Sequence, residues 1–247
     1  MMLGDSAVVA RAFGYPYYRP AASFLFESPA SVRPLTMERS GLAGRSPVLA
    51  VGSNASLVQL NRKFGRKPAQ RIPVLAAVLR GYDVVYAARI SRYGAIPASL
   101  SESAGTRLAV HVMFLTSEQR EILDRSEGGY DSPPGYTPTV VAPESVSCEV
   151  EFEGELTAYQ ATRGLLNLGG DTVALAEVPA TGRTRRALGE EAVLTAVGEK
   201  FGLTAEDLVL RAVREDAFRR RVLAVLARDA ITSDENVTRG KNVAVPE

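Results

Sequence analysis

Residues 47–51, Pro47-Val48-Leu49-Ala50-Val51, form a short apolar run that stops at Gly52-Ser53-Asn54, and residues 55–64 then space their apolar side chains at helical intervals before Gly65. A hydrophobic period that switches within three residues predicts a buried strand, a tight loop and a helix. Such a unit needs a sheet on which the helix can lie. β-branched and aromatic content predicts strands over residues 83–90 and 107–115, with 72–79 apolar as well, and again over 147–152, 155–161 and 172–178. Residues 91–100 read as a long loop, and residues 116–127 as a three-turn helix with Thr116 as cap, Gln119 three places on and Gly128-Gly129 as the stop. Helical spacing returns over 190–201 and 206–228, where Thr204 and Asp207 make a cap pair.

This order gives an α+β fold with one principal domain over residues 47–185 and appended helices over 186–231. Residues 1–46 read as an N-terminal arm, because Gly14-Tyr15-Pro16-Tyr17-Tyr18-Arg19-Pro20 favours extended chain over helix. The polar residues 232–247 read as a disordered tail. No internal repeat is found.

With 46% hydrophobic and 23% charged residues the chain of 247 is globular. Basic and acidic residues differ by 29 − 28 = +1, so no global field favours nucleic acid or an anionic membrane as partner. Cys148 stands alone and so forms no internal disulfide; with His111 as the single histidine, a Cys/His zinc site cannot be assembled. No carboxylate spacing suggests magnesium or calcium, and no metal or other cofactor is expected. Residues 1–13 hold nothing resembling a signal core or a membrane span, which makes the cytoplasm the expected location. His111, set among strand apolars, reads as a wall residue, and Arg219-Arg220-Arg221 as a solvated helix face.

Two segments remain as candidates for chemistry. Gly52-Ser53-Asn54, between a buried strand and a helix, suits anion binding, since a helix N-terminus offers unpaired N–H groups and a glycine lets a ligand approach closely. Glu127 lies in a last helical turn, where the dipole and the unpaired carbonyls disfavour negative charge, the setting a proton-shuttling carboxylate needs.

Together these segments resemble the gamma-glutamylcyclotransferase-like family, which has an aromatic-Gly-Ser-Asn loop after its first strand and a glutamate in a Leu-Asp-x-x-Glu-Gly stretch. Here Leu123-Asp124-Arg125-Ser126-Glu127-Gly128 supplies the second, and Tyr130 the aromatic that follows it. Residues 94–100 and 104–107 look like the family's connecting segments, so the resemblance covers about residues 47–180. Val51 stands where the family usually has an aromatic, and Ala55 where it commonly has leucine.

The resemblance implies a mixed β-barrel or roll flanked by helices. It implies release of 5-oxoproline from a small gamma-glutamyl amide, without a cofactor, by attack of the substrate's own α-amine. Glu127 would move the proton, and Gly52, Ser53 and Asn54 would bind the gamma-glutamyl end, with Tyr86 and Tyr130 lining the cavity. A non-catalytic module binding a ligand or a partner on the same fold is the alternative. Both a lid and a homodimer contact are open as roles for the arm.

Overall fold

The structure, a computed structural model, describes residues 4–27, 31–35, 39–65, 70–128 and 134–232. In chain order its elements are α1 (Asp5–Phe13), β1 (Phe24–Glu27), β2 (Ser31–Pro34), β3 (Ser46–Ala50), α2 (Leu57–Phe64), β4 (Arg71–Tyr86), β5 (Ala98–Leu115), α3 (Ser117–Gly128), β6 (Tyr136–Val140), β7 (Val146–Cys148) and β8 (Thr157–Ala161). They continue with β9 (Asn167–Leu168), β10 (Asp171–Thr172), β11 (Ala174–Leu175), β12 (Ala180–Thr181), β13 (Ala187–Leu188), α4 (Glu190–Glu199), α5 (Ala205–Arg214) and α6 (Asp216–Arg228). The fold is α+β.

The sheet is built on the long antiparallel hairpin of β4 and β5. Sequence reading separates 72–79 from 83–90 and starts the second strand at residue 107 after a loop over 91–100, yet β4 runs through Gly81 and β5 begins at Ala98. Gly81 and Gly105 take φ values of +79° and +79°, and the β4–β5 register shifts between Arg80 and Tyr82. The glycines therefore absorb a bulge inside continuous strands rather than ending them.

The outer edge of β4 is covered in succession by β1, β7 and β11, and that of β5 by β12 and β3. Beyond β3 the sheet continues through a parallel pairing with β8 and an antiparallel one with β6. Among the described residues the main path runs β13-β11-β4-β5-β3-β8-β6, with its ends unpaired to each other, so this sheet is open where a closed barrel was among the expectations.

Alternation along the strands sends their side chains to two separate cores. Val48, Ala50, Ile72, Val74, Met113 and Leu115 join Leu60 and Phe64 of α2 and Leu123 of α3 on one face. Leu49, Val51, Leu75, Leu79, Val110 and Val112 point the other way, into a larger core shared with α1, α4, α5 and α6.

The expected arm is thus partly regular. Residues 5–13 form α1, which buries Val8 and Ala12, and residues 24–27 pair with β4 as part of the sheet. Gly14 to Pro20 is irregular, as its Pro and Tyr content requires. The long C-terminal helix expected over 206–228 breaks at Glu215, whose φ of −110° and ψ of 97° are extended, which lets α5 and α6 turn different faces to the core. Thr116 and Gln119 cap α3 reciprocally, and the Thr204 hydroxyl accepts the Asp207 N–H at 3.1 Å. Among the described residues no helix is long and apolar enough to cross a membrane. Of the tail read as disordered, residues 232–247, all but Thr232 lie outside the described residues.

Candidate functional site

β3 ends at Ala50, opposite His111 of β5, and the chain enters a single 3-10 turn, Ser53–Ala55, before Ser56 caps α2 by accepting the Gln59 N–H at 3.3 Å. The loop is therefore one turn removed from the N-terminus of α2, and the helix-end argument for anion binding does not transfer to it. What the loop offers instead is the N–H groups of Ser53 and Asn54, which open the short turn and so have no partner within it.

Gly52 is constrained by protein rather than by ligand. A Cβ built there would lie 2.6 Å from the Tyr15 hydroxyl and 3.4 Å from the Ala98 Cβ. Tyr15 is 3% exposed, and its oxygen accepts the Ala98 N–H at 2.8 Å. From the same N-terminal segment the Arg19 guanidinium donates to the carbonyls of Val51 and Gly52 at 3.4 and 3.2 Å. The irregular stretch after α1 thus holds the loop from behind.

The loop borders a cavity of about 480 Å³. Gly52, Ser53 and Asn54 line it together with Glu127, and Lys63 stands between them. The Lys63 ammonium donates to Asn54 Oδ1 at 2.7 Å and to Glu127 Oε1 at 2.6 Å. The two charged side chains are 12% and 14% exposed, so solvent screens the pair only in part. The charge that the end of α3 disfavours is thereby compensated by an ammonium from α2.

α3 is fixed against β8 by a polar cluster. The Tyr159 hydroxyl donates to Asp124, Arg120 bonds Asp124 at 2.9 Å and Thr157 at 2.7 Å, and the Arg120 guanidinium lies over the Tyr159 ring at 5.7 Å. This cluster sets the rotation of the helix that aims Glu127 at the cavity.

The remaining wall is aromatic and basic. The Tyr136 hydroxyl donates to the Ala98 carbonyl at 2.8 Å, so both polar groups of the Ala98 backbone are held by tyrosines from distant segments. Burial pushes Tyr15, Tyr93 and Tyr136 above the ordinary phenol range, which keeps them protonated and able to donate. Behind the wall the Glu190 carboxylate oxygen accepts the Ile96 N–H at 2.6 Å. Its burial, reinforced by Glu177, raises its pKa well above the usual carboxylate value. Gly94, with φ +91°, lets this loop pack on α5 and α1, for a Cβ there would meet Val209 at 2.8 Å and Ala12 at 3.4 Å.

Of the residues singled out from the sequence, Gly52, Ser53, Asn54 and Glu127 meet at one cavity. Tyr86 does not join them: it is fully buried in the larger core, its hydroxyl donating to the Leu188 carbonyl at 2.9 Å. Tyr130 lies outside the described residues. His111 is a wall residue, 6% exposed, with Nε2 2.9 Å from the Pro20 carbonyl. Sequence reasoning missed Lys63, Tyr15 and Tyr93. Lys63 sits nine positions from Asn54, and only the helical period of α2 could have hinted that it returns to the loop. Among the described residues, no group of three or more His, Cys, Asp or Glu side chains comes together.

No family model matches the sequence, and no curated protein matches it. Among solved structures, the solution structure of an Arabidopsis thaliana protein is similar at 21% identity, covering 48% of this chain and 70% of that one with a TM-score of 0.34. At that score the likeness carries no argument.

Proposed function

We propose that this protein is an enzyme of the gamma-glutamylcyclotransferase type, which closes a gamma-glutamyl amide on itself and releases 5-oxoproline and an amine. The observation that carries the reading is the meeting of Glu127 with the Gly52-Ser53-Asn54 loop on one cavity, where Glu127 is the only carboxylate among the described lining residues.

In this reaction the bond from the gamma-carbonyl carbon to the leaving nitrogen breaks, and that carbon bonds to the substrate's α-nitrogen. The two protons lost by the α-ammonium end on the leaving nitrogen, which departs as an ammonium. No oxidant or other co-reactant is needed. Glu127 takes a proton from the attacking nitrogen and passes it to the leaving one, while the Ser53 and Asn54 N–H groups face the oxygen that gains charge. Lys63 keeps Glu127 turned toward the loop and hands over part of its ion pairing when the substrate ammonium arrives. The cavity walls hold the flexible glutamyl chain in the folded shape that ring closure requires.

A second reading, a binding module without turnover, draws on the same ion pair, since Lys63 already occupies the carboxylate that the reaction would use. The experiment that separates the two is 5-oxoproline release from gamma-glutamyl dipeptides, gamma-glutamylamines and glutathione by wild type and by Glu127→Gln. The enzymatic reading expects release by wild type and a loss of about 10²- to 10⁴-fold in the variant, the usual contribution of a general acid–base. No release from any of them, or equal release by the variant, sinks it.

A further inference from the structure

The cavity carries more positive charge than the reaction uses. Lys63 is engaged by Glu127 and Asn54, and Arg125 lies 3.5 Å from Glu121 across one helical turn. Arg62, which lines the cavity beside Lys63, has no carboxylate partner among the described residues. Its guanidinium lies 5.7 Å from the centroid of the Tyr93 ring. Arg11 of α1 lies 5.0 Å from the centroid of the same ring. Partial burial of the guanidinium and, after it, the neighbouring Arg11 both act against the Arg62 charge. Two like charges on one aromatic ring, with no carboxylate paired to either among the described residues, make a corner that a bound anion would relieve.

We propose that the corner formed by Arg62, Tyr93 and Arg11 takes a carboxylate on the leaving half of the substrate, so that gamma-glutamyl amides of acidic amines are preferred to those of neutral ones. This rests on the cyclotransferase reading for the identity of the substrate, but the charge argument is independent of turnover. Arg62 supplies the planar fork that pairs with a carboxylate. The Tyr93 ring fixes its plane, and Arg11 adds field from outside the lining. Arg62, Tyr93, Ser53 and Asn54 line the same cavity, so one ligand can use both the corner and the loop.

The test compares gamma-glutamylglutamate with neutral gamma-glutamyl-n-butylamide by titration calorimetry on the Glu127→Gln protein, where turnover does not enter. The acidic ligand is expected to bind about tenfold or more tightly than the neutral one, the size of a charge-assisted contact. Adding Arg62→Gln should bring the ratio to about one, Arg62→Lys should keep part of it, and Arg11→Gln should lower it less. Equal binding of the two ligands, binding of neither, or a preference that survives Arg62→Gln in a protein of unchanged melting temperature overturns the corner site. Release of 5-oxoproline from the same pair by wild type is read separately. If acid-selective binding stands while release is absent, the enzymatic reading falls and the anion corner remains.

Discussion

The face of the sheet under α2 and α3 and the face under α1, α4, α5 and α6 bury the same kinds of side chain, but they contribute differently to the cavity. The first is a smaller core drawn from residues 24 to 159, and its two helices carry Lys63, Arg62 and Glu127 to the cavity edge. The second is larger and is assembled from both ends of the chain, and what it contributes is support: Tyr15 and Arg19 against the loop, Glu190 and the α1–α5 packing behind residues 94–98. Charge comes from the first face and position from the second.

That division can be broken most forcefully at Gly94. Gly94→Ala forces a side chain into a left-handed backbone and against Val209, and should cost about 2 to 3 kcal/mol in a denaturant titration. A loss below about 0.5 kcal/mol would mean that α1 and α5 do not brace this loop. Gly52→Ala probes the same dependence from the loop side. Its Cβ crowds chiefly the far end of Tyr15, so about 1 to 2 kcal/mol is expected, and Tyr15→Phe in the same chain should recover part of it. Strict additivity of the two changes in a double-mutant cycle would separate the N-terminal segment from the loop.

The pH profile sharpens the comparison. Burial first, and then Arg19, lower the His111 pKa to about 4 from an ordinary 6.5. The unfolded chain takes up a proton that the folded one refuses, so this stability is complete above about pH 6.5 and is lost as pH falls toward 4, by at most about 1.4 kcal/mol per unit. Melting scans of wild type and His111→Gln between pH 7 and 4 should diverge in that window and nowhere above it. Glu190, raised by burial, acts in the opposite sense, because its neutral form is the stable one and rising pH is what removes its contribution. The smallest effect belongs to Asp5, whose ion pair with Arg214 joins α1 to α5 at the surface. Asp5→Asn should change stability by less than about 0.5 kcal/mol, as exposed pairs do. A much larger change would show that α1 is held by charge rather than by Val8 and Ala12.

The first face was also the legible one. The change of period at Gly52, the capping box at Thr116 and the glycine after Glu127 are all short-range signals, and they placed β3, α2 and α3 and brought the loop and the glutamate into one reading. The other face gave weaker signals because its partners are distant in sequence. α1 is a helix of nine residues whose apolar stripe is meaningful only against α5, and the Pro and Tyr residues after it pointed to an arm. β6, Tyr136–Val140, is mostly exposed and carries no apolar alternation to read. Tyr86 was read as lining the cavity, but its ring lies in the larger core and its hydroxyl is taken up by the Leu188 carbonyl. Glu215 gives no warning in composition that a helix ends there.

The grip of Tyr15 and Arg19 on residues 51–54 bears on how the protein should be handled at the bench. A chain trimmed to start after residue 20 would lose α1 but keep β1, the β4–β5 hairpin, Lys63 and Glu127. It would nevertheless have lost the guanidinium that clamps two loop carbonyls and the phenol that fills the space above Gly52. Inactivity of such a trimmed protein would report a slackened loop rather than a wrong assignment of the glutamate, so purification tags are better carried at the far end of the chain.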